Sequence, residues 1–477
     1  MDTTGADATG ADATAAVHRA IEAVWRIESA KVIAAVARLV RDVGLAEELA
    51  QDALVAALEK WPRTGVPRNP GAWLTTTAKH RAVDAVRRRE VLRRKIDQLG
   101  HELAVAGEGV PGPDIDAALD DDIGDDLLRL VFTACHPVLS TEARVALTLR
   151  MLGGLSTKEI ARAFLVPEPT VAQRIVRAKR TLADAGVPFE VPQGGELAAR
   201  LASVLEVVYL IFNEGYSATV GEDWMRPALC EEALRLGRIL AELAPAEAEV
   251  HGLVALMEIQ ASRAGARTGP RGEPVLLLDQ DRARWDRVLI GRGLAALERA
   301  EALGSPYGPY RLQAAIAACH ARARTAGETD WVRIAALYAV LARLTPSPVV
   351  ELNRAVALGM AFGPASGLAL VDRLTSEPAL KAYHLLPSVR GDLLARLGRH
   401  PEAAEEFRRA ASLTRNGRER TLLLERAAAS AAEAGGGAPA AGASVRTAVG
   451  PSEETGAGRA PERAGGGEGA GDREGER

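Results

Sequence analysis

The chain has 477 residues, a formal net charge of −4, and an apolar fraction of 47% with only 4% aromatic residues. This length is typical of two or three domains, and the abundant Ala, Leu, Arg and Glu favour helices. The sequence has no apolar run of the roughly 18 residues that a membrane span needs. Its three cysteines are far apart, which argues against a disulfide framework. We therefore expect an all-α protein of the cytoplasm with no membrane segment.

The N-terminal part predicts a low-complexity tail followed by a helical domain. Residues 1–15 are rich in Ala, Thr, Asp and Gly, which predicts disorder, and residues 16–99 are assigned to the domain. Gly44 is expected to end the first helix as a C-cap, and Pro62 to stop the second. The three expected helices are Val17–Arg41, Ala46–Lys60 and Gly71–Gly100.

The next segment is acidic and is expected to be a linker, residues 100–125. Two helical domains are expected after it, residues 126–190 and residues 195–434, separated by a stretch rich in Pro and Gly. Residues 435–477 consist mainly of Gly, Ala, Glu and Arg, a composition that predicts a disordered tail. The end of the acidic stretch contains no base and holds Asp114, Asp116, Asp120, Asp121, Asp122, Asp125 and Asp126.

The segment LSTKEIARAFLVPEPTVAQRIVRAKRTL, residues 155–182, has the pattern of a helix-turn-helix motif. Ser156 and Glu159 have the spacing of a capping box, and Pro167 and Pro169 mark the start of a second helix. At 100° per residue, one face of that helix is apolar and the other is polar. The apolar face holds Val171, Ile175, Ala178 and Leu182. Arg and Gln side chains read base edges in the major groove, and the predicted DNA contacts are Thr170, Gln173, Arg174, Arg177 and Arg180.

The turn of this motif departs from the usual pattern. Leu165 stands where the turn normally has a glycine, so a different backbone conformation is expected there. The alternative interpretation of the segment is an ordinary amphipathic hairpin with a solvated basic face.

A second basic helix is predicted over residues 69–95. Its polar side forms a basic stripe, which is an electrostatic footprint for a phosphate backbone. A solvated charged helix is the alternative. One face is predicted to hold Leu74, Ala78, Ala82, Ala85 and Val86, and the other Thr77, His80, Arg81, Asp84, Arg87 and Arg88.

Together these segments resemble the sigma-70 family, specifically the short extracytoplasmic-function sigma factors. DVGLAEELAQDALVAALEKWP (residues 42–62) is similar to the part that binds the β′ clamp helices of RNA polymerase. AWLTTTAKHRAVDAVRRR (residues 72–89) is similar to the segment that melts and reads the −10 element. Residues 155–182 resemble the helix-turn-helix that reads the −35 element and touches the β flap.

The resemblance implies core RNA polymerase and promoter DNA as partners, and it assigns residues to each. In the family the linker threads through the polymerase cleft, where its charge mimics nucleic acid; a plain solubilising linker is the alternative. Lys79 and His80 stand where the family often has Arg-Asn, which affects the −10 preference. The −10 contacts implied are Lys79, His80, Arg81, Asp84, Arg87 and Arg88. The polymerase contacts implied are Glu47, Glu48, Gln51, Asp52 and Leu54.

The C-terminal half resembles the extension of one sigma subgroup, which carries a tetratricopeptide-like domain and is associated with YCII-related (DGPF) proteins. A stacked helical array is normally a binding surface, so a protein or small-molecule regulator is expected there. The resemblance is carried by residues 207–240 and 276–286. The residues at tetratricopeptide spacings are Gly391, Gly398, Ala403, Phe407 and Ala410.

The C-terminal half does not present an enzyme's pattern of residues. Its candidate polar residues show no nucleophile–base pair. Earlier in the chain, Cys135 beside His136 lacks the further ligands that a metal site needs. We therefore expect no catalysis, cofactor or metal. The four-residue stretch from Asp279 to Arg282 is either a ligand or interdomain contact or a helix-capping turn. The candidate polar residues are Asn213, Glu214, Tyr216, Asp279, Asp281 and Arg282.

The sequence thus predicts an alternative sigma factor with a fused regulatory domain. A helix-turn-helix regulator with a helical sensor domain and no polymerase contact is the alternative, although it leaves residues 42–89 unexplained. A helical repeat scaffold whose basic helices are incidental is a third possibility.

Overall fold

The chain is helical almost throughout its described part. The computed structural model describes residues 4–101, 123–218, 225–270 and 272–435. Across these residues the only β-pairing is an isolated bridge between Thr268 and Pro274, which confirms the all-α fold class. The α-helices are α1 (Thr4–Val40), α2 (Val43–Thr64), α3 (Pro70–His101), α4 (Ile123–Ala134), α5 (Thr141–Met151), α6 (Thr157–Phe164), α7 (Glu168–Asp184), α8 (Gly195–Tyr216), α9 (Pro227–Leu243), α10 (Ala248–Ala261), α11 (Arg287–Ala302), α12 (Pro309–Arg322), α13 (Trp331–Leu344), α14 (Pro348–Phe362), α15 (Pro364–Leu374), α16 (Leu385–Arg396), α17 (His400–Leu413) and α18 (Gly417–Ala434).

Helices α1, α2 and α3 pack together as a first unit. The turn between α1 and α2 passes through Arg41, whose φ is +52°. Asp42 then caps α2, its carboxylate accepting from the backbone N–H of Gly44 at 2.8 Å and of Leu45 at 3.0 Å. The predicted C-cap at Gly44 is therefore wrong, because Gly44 lies in the first turn of α2.

The predicted stop at Pro62 is also wrong. Helix α2 continues to Thr64 and ends at Gly65, whose φ is +80° and whose N–H donates to the Trp61 carbonyl at 2.9 Å. A proline so close to the helix end removes one hydrogen bond without breaking the remaining turn. Trp61 is buried and packs edge-on against Trp73 of α3, with 5.4 Å between the ring centroids. This contact holds the last turn of α2 against the third helix.

Helices α4 to α7 form a second unit, and the residues expected to end the acidic linker belong to its first helix. Asp125 and Asp126 lie in the first turn of α4, and both form ion pairs with Arg129, at 2.5 and 2.7 Å. Asp126 is buried and lies 3.3 Å from Nε of Arg38 on α1. Burial raises the pKa of Asp126, while Arg38 and Arg129 oppose that shift. The remaining acids of the predicted linker, residues 114–122, lie outside the described residues.

From α13 onward, consecutive helices pack against each other, and the predicted contact between α16 and α17 is confirmed. A Cβ on Gly391 would lie 2.9 Å from a ring carbon of Phe407, so glycine allows the two helices to approach closely. Phe407, Ala403 and Ala410 are fully buried, and Gly398 makes the intervening turn with φ +74°. The tetratricopeptide character of this part remains a prediction.

One apolar core joins both N-terminal units to the C-terminal half. It extends from Ile21 of α1 to Ala321 of α12. Two further cores lie among α12 to α14 and among α14 to α18. Among the described helices, none combines the length and apolarity that crossing a membrane would need. The first two units are therefore docked on the C-terminal half rather than separated from it.

Candidate nucleic-acid interface

Helices α6 and α7 form the predicted helix-turn-helix. The capping box is confirmed, since Ser156 N–H donates to Glu159 Oε2 at 2.7 Å and Glu159 N–H donates to Ser156 Oγ at 3.2 Å. Leu165 has φ +51° and ψ +41°, the left-handed conformation that a glycine would adopt. The expectation of a different turn conformation is therefore wrong: Leu165 adopts the backbone conformation of the usual turn, although that conformation is strained for a leucine. The N–H of Val166 donates to the Ala161 carbonyl at 3.1 Å and closes it.

Helix α7 presents the predicted polar face to solvent. Its predicted apolar face is confirmed as buried: Val171, Ile175, Ala178 and Leu182. Arg174 is half-buried, and Arg180 forms an exposed ion pair with Asp184 at 3.4 Å. The exposed predicted contacts are Thr170, Gln173, Arg177 and Arg180. An amide and two exposed guanidinium groups thus lie along one side of a helix whose other side is buried, a composition suited to DNA edges and phosphates.

Helix α3 carries the second basic surface. Leu74, Ala78 and Ala82 are buried as predicted, and the solvent side holds exposed residues at His80, Asp84, Arg87 and Arg88. Arg81 is partly exposed and pairs with Asp52 of α2 at 3.4 Å. Lys79 differs from the other predicted contacts: its side chain is buried, so it does not lie on the exposed face with them. The helical spacing alone places Lys79 beside the apolar positions; only the family resemblance put it among the DNA contacts.

The five predicted polymerase contacts on α2 fall into two environments. Glu48 and Asp52 are exposed, while Gln51 and Leu54 are partly buried. Glu47 is only 3% exposed, and it accepts a hydrogen bond from Gln51 Nε2 at 2.6 Å. The structure therefore brings Glu48 and Asp52 to the surface but withdraws Glu47 from it.

Two cations of the second unit hold Glu47. Arg150 Nε on α5 lies 2.6 Å from Glu47 Oε1, and Lys179 on α7 forms an ion pair with Oε2. Sequence reasoning missed both residues. Lys179 lies one turn from Ile175 and from Leu182, so a helical wheel places it at the rim of the buried face. No local pattern identifies Arg150, because its partner is distant in sequence.

Comparison with known proteins agrees with this division. Residues 26–91 match the sigma-70 region 2 family, residues 129–182 match sigma-70 region 4, and residues 200–301 match a family of unknown function, DUF6596. The ECF RNA polymerase sigma factor SigK of Mycobacterium bovis is 31% identical over 157 residues, which are 32% of this chain and 78% of SigK. SigK of Mycobacterium tuberculosis has the same identity and coverage.

The chain belongs to the sigma-70 family. It is an extracytoplasmic-function (ECF) sigma factor, a protein that acts in transcription initiation. We call α1–α3 its region 2 unit and α4–α7 its region 4 unit. The "Uncharacterized protein R00370" of Rhizobium meliloti is 45% identical over 397 residues, 82% of this chain and 90% of that protein. No solved structure matches the chain. The long helical extension is therefore shared with R00370, whereas SigK aligns with only about a third of the chain.

The extension of this sigma factor packs directly on its region 4 unit. Arg144 of α5 donates to Ser203 Oγ at 2.5 Å and lies 3.0 Å from Glu206 Oε2, both on α8. Arg200 donates to the Phe132 carbonyl at 3.0 Å. These groups are largely buried, so α8 and the region 4 unit share an interface that excludes most water.

A second contact comes from α9. Arg235 donates to the Leu152 carbonyl at the end of α5, at 2.5 Å, while Glu232 holds the same guanidinium. Burial raises the pKa of Glu232, and Arg235 opposes that shift. Sequence reasoning missed this contact because Arg235 and Leu152 are 83 residues apart in the chain.

The polar residues singled out in the extension have structural contacts. Asp281 caps a short turn by accepting from Ala283 N–H at 2.9 Å, which favours the capping interpretation. Arg282 is buried and donates to the carbonyls of His320 and Ala323 at 2.7 and 2.8 Å. Glu214 forms an ion pair with Arg226. Three more of the set remain. The ring centroid of Tyr216 lies 3.5 Å from the Arg267 guanidinium carbon, the Asn213 carbonyl accepts from the Ser217 N–H, and the Asp279 N–H donates to the Leu276 carbonyl at 2.9 Å.

The three cysteines of the sigma factor are buried, and His136 makes a local contact in the turn that follows α4. All three cysteines are free and buried, and burial raises the pKa of Cys135 to about 11 and that of Cys230 to about 12. A thiol of that pKa stays neutral at ordinary pH and is a poor nucleophile. His136 Nδ1 accepts from the Val138 N–H at 3.1 Å, which stabilises the turn after α4.

Proposed function

We propose that the protein binds core RNA polymerase and directs it to promoters with defined −10 and −35 elements. The observation that carries the proposal is the exposed face of α7, with Gln173 and Arg177 opposite a fully buried apolar face. In a helix-turn-helix, such a face enters the major groove, where Gln and Arg contact adenine and guanine edges. We assign this face to the −35 element.

Helix α3 is proposed to contact the −10 element through His80, Arg87 and Arg88, with Arg81 and Asp84 at the same surface. A basic helix holds single-stranded backbone by charge, and side-chain pockets accept unstacked bases. Lys79 would contribute only after a rearrangement that exposes it. Strand opening in this proposal uses binding energy and involves no covalent step.

Helix α2 is proposed to dock on the β′ clamp helices, and the region 4 unit on the β flap. Glu48 and Asp52 offer exposed acids for this purpose, and Gln51 and Leu54 lie beside them. The match of residues 26–91 to sigma-70 region 2 supports this proposal over a regulator that never contacts polymerase. Glu47, which the resemblance also assigned to this surface, is buried against α5 and α7 in this structure.

The C-terminal extension is proposed to regulate the sigma factor. Helix α8 contacts Arg144, and helix α9 covers the end of α5. A ligand that changes the packing of these two helices therefore changes the environment of the region 4 unit. A protein or a small molecule bound to the helical array is the proposed signal, and domain limits at about residues 100, 126 and 195 are proposed with it.

Binding to core polymerase tests the proposal. The full-length chain, labelled with a fluorophore, is titrated with purified core polymerase from its own organism. Saturable binding supports the sigma factor proposal. Sequence-specific DNA binding without any polymerase binding would instead favour the helix-turn-helix regulator.

A further inference from the structure

An open cavity of about 740 Å³ lies between the helix-turn-helix and the extension. Helix α6 and the turn after it form one wall, the first turns of α9 form another, and Arg26 of α1 also lines the space. Small-molecule sites in proteins occupy roughly 300–1,000 Å³. The cavity is therefore large enough for an organic ligand, and such a ligand would contact both the region 4 unit and the extension.

Leu165 lines this cavity in a strained backbone conformation. Its φ of +51° and ψ of +41° are values that a glycine adopts without strain. Packing in the core does not account for a leucine here, because 53% of Leu165 is exposed. Strained residues of this kind are concentrated at ligand-binding and functional sites. The leucine side chain is therefore explained best as part of the wall that a ligand contacts.

The walls of the cavity offer more apolar than polar surface. Leu155 and Leu165 contribute from the region 4 unit, and Met225 and Leu229 contribute from the extension. An apolar body between these side chains would be removed from water on two sides, and this burial stabilises binding in proportion to the area covered. The site therefore fits a ligand with a substantial hydrocarbon or aromatic part.

Most charged side chains that line the cavity are already paired within the protein. The ion pairs are Arg26 with Glu159, Arg235 with Glu232, and Arg226 with Glu214. Among the described residues, Arg162 of α6 and Glu231 of α9 line the cavity and form no ion pair. The guanidinium of Arg162 is therefore available to an anionic group of a ligand, with which it can form charge-assisted hydrogen bonds.

The start of α9 adds to the preference for an anion. Pro227 is the first residue of this helix, and no side chain caps its N-terminus. Both Pro227 and Ala228 line the cavity, where the helix dipole contributes partial positive charge. Glu231 lies a full turn further along α9 and repels an anion. The anionic group of a ligand is therefore expected near Arg162 and the first residues of α9.

We propose that this cavity binds an amphipathic organic anion, whose apolar body lies against Leu165 and Leu229 and whose charged group binds Arg162. A carboxylate and a phosphate both have the required charge. The bound molecule contacts α6 and α9 together, so its binding depends on how the extension lies on the helix-turn-helix. The inference deepens the proposed regulation by the extension and rests on it for any effect on transcription, whereas binding itself does not require polymerase.

The test titrates the full-length chain with anilinonaphthalene sulfonate, a fluorescent probe that joins apolar rings to an anionic group. Wild type is expected to bind one molecule of the probe with a rise in fluorescence. Arg162→Ala should weaken binding about tenfold, because it removes a charged hydrogen-bond donor, and Arg162→Lys should retain most of the affinity. Leu165→Gly should weaken binding about fivefold through lost apolar contact, although it relieves backbone strain. A purely structural role of Leu165 would not give weaker binding in a more stable variant.

Competition identifies the charged group of the ligand. Octanoate and octyl phosphate carry the same chain with a carboxylate or a phosphate, and octyltrimethylammonium carries it with a cation. Both anions are expected to displace the probe, and the one that does so at lower concentration assigns the charged group. The cation should need about tenfold more. Equal displacement by all three compounds would overturn the proposal of an anion site.

Two matched controls make the same changes outside the cavity. Arg299→Ala removes an exposed arginine of α11, and Leu303→Gly replaces an exposed leucine at the end of that helix. Both should bind the probe as wild type does, and circular dichroism melting shows whether each variant is folded.

The outcomes separate this inference from the proposed function. If wild type does not bind the probe saturably, or if folded Arg162→Ala and Leu165→Gly bind it as tightly as wild type does, the ligand site is overturned while binding to core polymerase can still stand. If the probe binds as expected and no form binds core polymerase, the ligand site stands and the proposed function fails.

Discussion

Arg144 on α5 and Ser203 on α8 are joined by a hydrogen bond of 2.5 Å, across the boundary between the region 4 unit and the C-terminal extension. Ser203 Oγ in turn donates to the Cys135 carbonyl at 2.6 Å. The extension therefore supplies polar partners to the region 4 unit and packs against it, rather than being joined to it only by a flexible linker. A chain stopped after Glu190 would lose α8 and leave Arg144 without these partners.

Arg144→Ala is expected to lower the free energy of unfolding by about 1–3 kcal/mol, because it removes a charged donor and leaves Ser203 and Glu206 partly desolvated. The measurement is the urea-unfolding midpoint of the full chain. Arg299→Ala serves as the control and should change stability by less than about 0.5 kcal/mol. Equal midpoints for the two variants would contradict the described interface.

Leu165→Gly is expected to stabilise the helix-turn-helix. A leucine in the left-handed conformation costs roughly 1–2 kcal/mol, and glycine avoids that cost while losing about 0.5–1 kcal/mol through the unfolded chain. Leu165 is also half-exposed, so little burial is lost. The expected net gain, up to about 1 kcal/mol, is measured by thermal unfolding.

Leu303→Gly is the matched control for that change. Leu303 also follows the end of a helix and is partly exposed, but its φ is −69°. Glycine should therefore destabilise the chain there. A stability that falls equally in both variants would mean that Leu165 is not strained in solution.

Arg177→Ala is expected to reduce promoter-specific transcription about tenfold or more, since a bidentate contact to a base is worth about 1–3 kcal/mol. The effect should be confined to promoters that carry the −35 element. Arg299→Ala should transcribe as wild type does. Unchanged transcription in Arg177→Ala would remove α7 from the proposed −35 interface.

His320 predicts a loss of stability in acid. Burial, followed by the nearby Arg263 and Arg282, lowers the pKa of His320 from 6.5 to about 3. Between those values the unfolded chain binds the proton and the folded chain does not, so stability falls as the pH falls through that window. Near pH 4 this loss amounts to roughly 2–3 kcal/mol.

His320→Phe removes this titration while keeping an aromatic ring against Trp331, whose centroid lies 5.1 Å away. The difference in unfolding free energy between pH 7 and pH 4 should shrink in this variant. His18→Phe, at an exposed position of α1, should leave the difference unchanged. If both variants behave as wild type does, His320 is not the group that destabilises the fold in acid.

Sequence reasoning predicted what depends on local spacing. The buried face of α7 follows from the positions of Val171 and Ile175, and the capping box from Ser156 and Glu159, because both features need only neighbours within one or two turns. The same reasoning failed at Gly44 and Pro62, where a residue's usual effect was overridden by an aspartate cap and by the packing of Trp61.

Contacts between distant segments could not be predicted in this way. The family resemblance assigned Glu47 to the polymerase surface, but its burial depends on Arg150 and Lys179, which lie a hundred residues or more further along the chain. The spacing of Lys79 fits an inward position, and the family resemblance obscured it. A periodic pattern indicates which face is buried but does not identify the partner that covers it.

Run-off transcription is the most direct test of the central claim. Purified core polymerase is supplied with the full-length chain and with DNA from upstream of the chain's own gene. The account predicts a discrete transcript that needs the chain and is lost with Arg177→Ala but not with Arg299→Ala. No transcript from any tested promoter, together with no detectable binding to core polymerase, would contradict a role in transcription initiation.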